Sequence, residues 1–129
     1  MLTTGLTHTC TERVTDANTA AALGSGMLPV YATPAMILLI ESTAAALAAP
    51  HLEEGSTTVG TKLDVEHVAA TPVGMDVTAT ATLVEIDRRR LVFEVEVTDK
   101  AGIIGRGRHE RFIVASEKFM AKTVAKLEL

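Results

Sequence analysis

Residues 33–50, TPAMILLIESTAAALAAP, form the stretch that decides the fold. Alanine and leucine dominate it, and both residues favour a helix. Between residues 35 and 49 the only polar side chains are Glu41, Ser42 and Thr43. A helix that is apolar on nearly every face is expected inside a protein rather than on its surface. The sequence therefore predicts one buried helix that a sheet must cover.

The ends of this helix are also predicted from the sequence. Thr33 is a favourable N-cap residue, and Pro34 suits the first helical position because its missing N–H would have no partner there. Pro50 is expected to end the helix, since the residue before a proline is pushed out of the α conformation. At about 15 residues, the helix would be shorter than the roughly 20 apolar residues that span a membrane.

Glu41 is the one charged residue in this helix. A buried carboxylate is costly unless it is paired, hydrogen-bonded or protonated. One interpretation places the helix at a subunit interface, where Glu41 reaches water or an arginine. The other makes Glu41 a functional carboxylate, with Ala44, Ala45 and Ala48 on the same side leaving room for a ligand or another backbone.

Length, charge and cysteine content narrow the class of protein. The 129 residues match the size of one domain, residues 1–129, with enough chain for a core. A net charge of −4 argues against nucleic acid as the partner, because neutralising phosphates requires a basic face. The single cysteine, Cys10, fits a reducing compartment, and the N-terminus lacks a basic segment followed by an apolar run. We therefore expect a cytoplasmic protein with no membrane partner.

Five segments have the alternation or apolar character of strands: residues 6–14, 57–67, 76–87, 91–98 and 103–114. In the second segment one face is predicted to turn inward. That face carries Val59, Thr61, Leu63, Val65 and His67.

Two further helical segments are predicted, a short turn over residues 16–23 capped by Asp16 and a final helix over residues 116–127 capped by Ser116. Consecutive strands joined by short turns pair antiparallel, so the four strands after the central helix predict a meander. Gly105 and Gly107 in the last strand indicate a bulge or a close backbone approach.

One helix on one sheet makes a two-layer α+β domain, and an antiparallel β-sheet wrapped around one long central helix is the hot-dog fold. Because this layout leaves sheet edges and one flank of the helix uncovered, we expect at least a homodimer.

Thr33, Glu41 and His67 supply a hydroxyl, a carboxylate and an imidazole, which are groups used in acyl transfer. Thr33 and Glu41 are eight residues apart, about two helical turns, so they share a side of the helix. His67 lies on the inward face of the next strand, where Gly60 permits close approach of a substrate. The helix N-terminus adds N–H groups that could stabilise an oxyanion. A plain cap at Thr33 and a core histidine at His67 remain open alternatives.

Other polar clusters give weaker signals. Residues 27–31, MLPVY, are interpreted as a lid or as a packed loop before the helix. His8 and Cys10 lack further ligands at metal-binding spacing, so no metal site is expected. The three arginines at 88–90 are interpreted as a solvated hairpin or as a contact to the phosphates of a nucleotide-bearing substrate. A structural charge network is predicted for His109, Glu110 and Arg111.

The sequence resembles the fluoroacetyl-CoA thioesterase-like branch of the hot-dog thioesterases. The matching features are Thr33 with Glu41 eight residues later, VGT at residues 59–61, His67 twenty-six residues after Glu41, HVAATPVG at 67–74, GRGRHERFIV at 105–114 and EKF at 117–119. The joint spacing of the threonine, glutamate, glycine and histidine is more specific than any one of them. The resemblance covers residues 28–122.

This resemblance implies an acyl-CoA thioesterase that is a homodimer, or a larger homo-oligomer, with active sites at the subunit interface. Coenzyme A would be part of the substrate, and no separate cofactor is expected. The implied catalytic residues are Thr33, Glu41 and His67, and the implied substrate-binding residues are Gly60, Tyr31 and Met27. Glu41 and Thr33 would act on the thioester carbonyl or its attacking water, with His67 assisting proton transfer. Whether Glu41 would attack directly or act as a base stays open.

Two other functions fit the same residues. One is a non-catalytic hot-dog domain that binds acyl-CoA or another small ligand, since fold does not fix function. The other is a hydratase acting on enoyl-CoA, which also uses an acid and a histidine. Release of free thiol from CoA esters distinguishes the thioesterase from both.

Overall fold

The computed structural model describes all 129 residues as one sheet of five strands with three α-helices and two 3₁₀ turns. The strands are β1 (Thr7–Arg13), β2 (Ser56–His67), β3 (Asp76–Asp87), β4 (Arg90–Asp99) and β5 (Gly102–Ala115). The helices are α1 (Ala20–Leu23), α2 (Thr33–Ala48) and α3 (Ser116–Val124), and the 3₁₀ turns are Ala49–His51 and Ala125–Glu128. All five predicted strands are confirmed, with small differences at their ends.

The sheet is antiparallel with strand order β1-β3-β4-β5-β2. The predicted meander is right for β3 to β5 and wrong for β2, which pairs with β5 instead of β3. The reason lies in the connection between β2 and β3. The carbonyl of Thr71 accepts a hydrogen bond from the Tyr31 N–H, and Pro72 bridges to Val30, so this connection follows the segment before α2. As a result β2 is an edge strand.

Helix α2 lies on one face of the sheet and forms the core with it. Its fully buried residues are Met36, Ile40, Thr43, Ala44 and Ala48, and the fully buried residues on the sheet include Val77, Ala81, Leu83, Leu91, Phe93 and Val97. The predicted inward faces of β3 and β4 are therefore confirmed. Gly105 allows the helix to approach closely, because a Cβ there would lie 2.5 Å from the Met36 Sδ atom.

The ends of α2 agree with the prediction only in part. Ala32 is the N-cap and makes no side-chain cap bond, so the predicted cap at Thr33 is wrong, and Thr33 is the first helical residue. The predicted C-terminal end is right for the α-helix, which ends at Ala48, but Ala49 keeps helical dihedrals (φ −50°, ψ −46°) and Pro50 lies inside the 3₁₀ turn that follows directly. The run Thr33–His51 is thus 19 residues, longer than predicted.

By length and composition this run could cross a membrane, but 44% of an 18-residue window in it is buried, and its buried residues belong to the hydrophobic core of the domain. The predicted uncovered flank of the helix is confirmed. One flank is uncovered in the single chain, with Leu38 65% exposed.

A bulge in β2 changes which of its residues face α2. The register shifts between Gly60 and Lys62, so that Gly60 lies opposite Arg111 and Leu63 lies opposite His109. Gly60 therefore faces the helix with Leu63, Val65 and His67, while Val59 turns to the other side. The predicted inward position of Val59 is wrong, because strict alternation along a strand fails where an extra residue is inserted.

Two predicted caps are also wrong. The N-cap of α1 is Thr19 rather than Asp16, and the Thr19 hydroxyl accepts a hydrogen bond from the Ala22 N–H. The N-cap of α3 is Ala115, without a side-chain bond, and Ser116 is the first residue of that helix.

Candidate active site

The predicted functional residues border a groove between α2 and β2, which we call the α2–β2 groove. Thr33 contacts the last residue of β2, and Glu41 lies against Gly60 near the other end of that strand. The residues between these two polar ends are apolar on both elements, and they are half-buried or exposed: Ile37 and Leu38 on α2, and Leu63 and Val65 on β2. The groove follows the uncovered flank of the helix.

Thr33 and His67 form a hydrogen-bonded pair at the N-terminal end of α2. The Thr33 Oγ1 atom lies 2.8 Å from the His67 Nδ1 atom. The His67 Nε2 atom is buried and has no hydrogen-bond partner within the chain. Burial lowers the pKa of His67, and the backbone of Ala69 opposes this shift in part. The imidazole is therefore neutral at neutral pH, with one ring nitrogen able to accept a proton.

The amide groups at the start of α2 add donors to this end of the groove. The N–H groups in the first turn of a helix have no carbonyl partner within the helix, and they stabilise a negative charge placed near them. Pro34, the second helical residue, has no N–H, so the amides of Thr33 and Ala35 are the ones in position at this terminus.

A cavity of 280 Å³ adjoins the Thr33–His67 pair. Its other lining residues are small or apolar, namely Ala20, Ser25, Val30, Tyr31, Val68, Ala69 and Ala70. The cavity is open to solvent at the end of the groove. It is a shallow depression with Thr33 and His67 as its main polar side chains.

The structure places Tyr31 and Met27 differently. The Tyr31 ring is 1% exposed and meets the His67 ring edge-on, with centroids 6.4 Å apart. Its hydroxyl donates to the Glu12 carboxylate, and burial raises the pKa of this hydroxyl. Tyr31 therefore lines the cavity with its ring, while its O–H is already used by Glu12. Met27 is 93% exposed and does not line the cavity, so its predicted place beside the substrate is not formed within the single chain.

Glu41 is paired with a buried arginine. Its Oε2 atom lies 3.5 Å from the Nη1 atom of Arg111, whose side chain is only 9% exposed, against 37% for Glu41. Thr58 holds the other side of the guanidinium. Arg111 Nε donates to the Thr58 Oγ1 atom at 2.8 Å, and Nη2 donates to the Thr58 carbonyl at 3.0 Å. Glu41 therefore has a fixed counter-charge while its carboxylate stays accessible from the groove.

Gly60 makes the position of Glu41 possible. A Cβ atom at residue 60 would lie 2.6 Å from the Glu41 Oε2 atom and 3.3 Å from the Arg111 Nη1 atom. The group that approaches this glycine within the chain is thus the Glu41 carboxylate. Any larger residue at position 60 would displace it.

Sequence reasoning missed the part played by Arg111 and His109. The sequence predicts a structural charge network for both, yet both are buried, and Arg111 is the partner of Glu41. The signal was the alternation in β5. His109 lies opposite Phe93 in the inward-facing register, whereas Glu110 turns outward and pairs with Arg90.

Arg90 also bonds Glu85, so this member of the arginine run at residues 88–90 belongs to ion pairs on the outer face of the sheet. The interpretation of the run as a solvated hairpin fits these contacts. The run lies away from the α2–β2 groove, beside β3, β4 and β5.

The predicted group of three residues does not meet within one chain. Thr33 and His67 are in contact, but Glu41 is eight residues further along α2, which corresponds to about 12 Å along the helix axis. A single thioester carbonyl is too small to contact both ends of the groove of the same chain.

The comparisons with known proteins agree with one another. Residues 14–117 match the family model described as FlK, fluoroacetyl-CoA-specific thioesterase. The chain is 44% identical over 93 residues to the fluoroacetyl-CoA thioesterase of Streptantibioticus cattleyicolor. The aligned region covers 72% of this chain and 67% of that protein.

Solved structures show the same fold. The structure of the fluoroacetyl-CoA thioesterase FlK has a TM-score of 0.91 and 36% identity, covering 98% of both chains. A threonine-to-serine variant of FlK in complex with acetyl-CoA has a TM-score of 0.92 and 35% identity, covering 97% of this chain and 98% of the other. A Thermus thermophilus member of the thioesterase superfamily has a TM-score of 0.91 and 28% identity, covering 99% of this chain and 95% of that one.

Proposed function

The chain belongs to the fluoroacetyl-CoA-specific thioesterase family, whose hot-dog fold it shares, and from this premise we propose that it hydrolyses a short-chain acyl-CoA ester to the free acid and CoA. Membership makes the protein a thioester hydrolase acting on acyl-CoA. The observation that carries the finer proposal is the α2–β2 groove, which has a hydroxyl–imidazole pair at one end and a carboxylate–guanidinium pair at the other. The cavity of 280 Å³ beside Thr33 supports a short acyl group.

Glu41 is proposed as the general base. The Arg111 guanidinium, 3.5 Å away, limits the movement of the carboxylate and keeps it beside Gly60. In the reaction a water oxygen bonds to the thioester carbonyl carbon while Glu41 takes a proton from that water. The carbon–sulfur bond then breaks, CoA leaves as the thiolate, and the thiolate takes up a proton to become the free thiol.

Thr33 and His67 are proposed to stabilise the charge that develops on the carbonyl oxygen. If His67 Nδ1 carries the proton, it donates to the Thr33 oxygen and leaves the Thr33 O–H free to donate to the oxyanion. The positive end of α2 lies at the same place and stabilises the same charge. His67 thus orients the hydroxyl and assists the transfer of protons around it.

A homodimer completes the proposed site. Ile37 is midway between Thr33 and Glu41 in sequence, so two antiparallel α2 helices related by a two-fold axis near this residue would place Thr33 of one copy opposite Glu41 of the other. Packed helices lie about 8–10 Å apart, so the Thr33 and Glu41 side chains of two facing helices would both come within reach of one thioester. Each site would then use Thr33 and His67 from one copy and Glu41 from the second.

The uncovered surface of the chain supports this arrangement. Leu38, next to the proposed axis, is 65% exposed, and Leu63 on the edge strand is 39% exposed. Strand β2 pairs with β5 on one side only, so its other edge is available to a second copy. A dimer that covers this side of the molecule would bury both features.

Hydrolysis is tested by measuring free thiol from a panel of fluoroacetyl-, acetyl-, propionyl-, isobutyryl- and benzoyl-CoA. The proposal expects thiol release, fastest with one of the small aliphatic esters. Binding of the esters without thiol release would support a non-catalytic domain instead. Loss of enoyl absorbance from crotonyl-CoA without thiol would support a hydratase.

The shared site is tested by mixing two inactive variants. In a mixed dimer of Thr33→Ala and Glu41→Gln, one site carries both changes and the other carries neither. If subunits exchange freely, the mixture should recover about one quarter of wild-type turnover. No recovery, with mixed dimers verified by mass spectrometry, would show that each site is built within one chain.

A further inference from the structure

His109 lies directly behind the Arg111–Glu41 pair and is fully buried. Its ring stacks on Phe93, with centroids 6.3 Å apart and an interplanar angle of 29°. The Nδ1 atom is 2.8 Å from the Lys62 carbonyl oxygen, and the Nε2 atom is 3.2 Å from the Arg111 Nη1 atom. Both ring nitrogens therefore have a defined partner.

These two partners allow only one form of the imidazole. A carbonyl oxygen can only accept a hydrogen bond, so His109 Nδ1 must carry a proton. A guanidinium can only donate, so Nε2 must present its lone pair to Arg111. The neutral Nδ1–H tautomer satisfies both contacts, whereas an imidazolium would turn an N–H against the Arg111 N–H. Burial lowers the pKa of His109, which agrees with the neutral form.

The contact matters because Nη1 is the Arg111 atom that faces Glu41. Thr58 fixes Nε and Nη2, and His109 alone fixes Nη1 from the side away from the groove. We propose that His109 is a positioning residue, which holds the Arg111 Nη1 atom in place as its neutral Nδ1–H tautomer and through it sets the position of the Glu41 carboxylate. This inference rests on the proposed role of Glu41 as the base.

The tautomer is tested without reference to activity by ¹⁵N NMR of the histidine rings at neutral pH. The expected result for His109 is a protonated Nδ1 and an unprotonated Nε2. An Nε2–H tautomer, or an imidazolium, would overturn the proposal whatever the protein's activity.

The positioning role is tested with His109→Leu and His109→Gln, beside the control His8→Gln on an exposed strand position. Loss of a hydrogen bond to a charged group predicts that His109→Leu lowers kcat about tenfold to hundredfold with little change in KM. The amide oxygen of His109→Gln can accept from Arg111, so this variant should recover most of kcat. The control His8→Gln should have the kcat and KM of the wild type.

A further comparison asks whether His109 acts through Arg111. An Arg111→Lys variant lacks the planar guanidinium whose Nη1 atom contacts both His109 and Glu41. In this background, His109→Leu should lower kcat less than about twofold. The same large loss in both backgrounds would contradict the proposal.

Failure of this inference can be told apart from failure of the proposed function. Wild-type turnover in a folded His109→Leu variant would overturn the positioning role and leave hydrolysis by Glu41 intact. If His109→Leu does not fold, the decision rests on His109→Gln, for which a loss of kcat as large as that of Arg111→Lys would contradict the proposal. Wild-type turnover in Glu41→Gln would overturn the proposed role of Glu41 as the base, on which this inference rests, whereas absence of thiol release by the wild type would overturn the proposed function itself.

Discussion

The substitution Gly60→Ala tests how tightly the Glu41 carboxylate is held. The new Cβ would lie 2.6 Å from Glu41 Oε2, whereas ordinary contacts begin at 3.4 Å. The carboxylate must therefore move by about 0.8 Å, since the Arg111 Nη1 atom, 3.3 Å from the new Cβ, is held by its other bonds. A displacement of about 1 Å from the reactive position can cost about a hundredfold in rate.

We therefore expect Gly60→Ala to lower kcat by about tenfold to hundredfold. The stability should change by less than about 1 kcal/mol, because Glu41 is partly exposed and its end can move into the groove. Steady-state thiol release gives kcat, and urea denaturation gives the free energy of unfolding.

The control for this substitution is Gly26→Ala, where the new Cβ meets only the Ala20 Cβ at 3.4 Å. This variant should keep the wild-type free energy of unfolding. If Gly60→Ala is folded and turns over at the wild-type rate, the carboxylate is not held against residue 60 during the reaction, and the reasoning from this contact is refuted.

Three further predictions concern the helix and its N-terminal end. Gly105→Ala would place a Cβ 2.5 Å from the Met36 Sδ atom and 3.1 Å from the Glu66 carbonyl, so it should cost about 1–3 kcal/mol in urea denaturation, and an unchanged midpoint would contradict this. Thr33→Val should lower kcat about tenfold or more and change the melting temperature only slightly, because the Thr33 hydroxyl makes no cap bond and its bond to His67 is at an exposed position. Thr33→Ser should keep activity, and wild-type kcat in Thr33→Val would contradict this role. Burial lowers the pKa of His67 below its ordinary value of 6.5, so the neutral imidazole predominates above pH 6.5 and is lost only as the pH falls through the lowered value. The acid limb of kcat against pH should therefore lie below 6.5, and a limb above 6.5 would argue against this role.

The strands and their inward faces could be read from the sequence because alternation is a local property. Val77, Ala79, Ala81 and Leu83 repeat every second residue, and all four are buried in the structure. The central helix was predictable for the same reason, since its composition alone favours a helix that packs on a sheet.

The pairing of β2 was not predictable in this way. Its partner is set by hydrogen bonds between distant segments, such as the bond from the Tyr31 N–H to the Thr71 carbonyl. The bulge beside Gly60 is not separated by the sequence from a simple close approach at that glycine, and it shifts the faces of one half of the strand relative to the other. The predicted helix cap at Thr33 is wrong because the Thr33 hydroxyl bonds instead to His67, a residue 34 positions away.

The candidate site was predictable in its residue types but not in its assembly. Spacing indicated that Thr33 and Glu41 share one side of α2, and both do border β2. The counter-charge of Glu41 was missed, because Arg111 lies in a sequence run of charged residues whose burial depends on the register of β5. The 12 Å separation along the helix follows from eight residues at about 1.5 Å each, and it makes a second copy part of the proposed site.

The most direct measurement is thiol release by Glu41→Gln beside the wild type. Glutamine has the size of glutamate but cannot serve as the base, and the side chain is 37% exposed, so the variant should fold normally. With the preferred short acyl-CoA ester, kcat should fall about a hundredfold or more while the circular dichroism spectrum and the melting temperature stay close to the wild type. A folded Glu41→Gln variant whose kcat stays within about threefold of the wild type, less than a general base is expected to contribute, would contradict the assignment of Glu41 as the catalytic carboxylate.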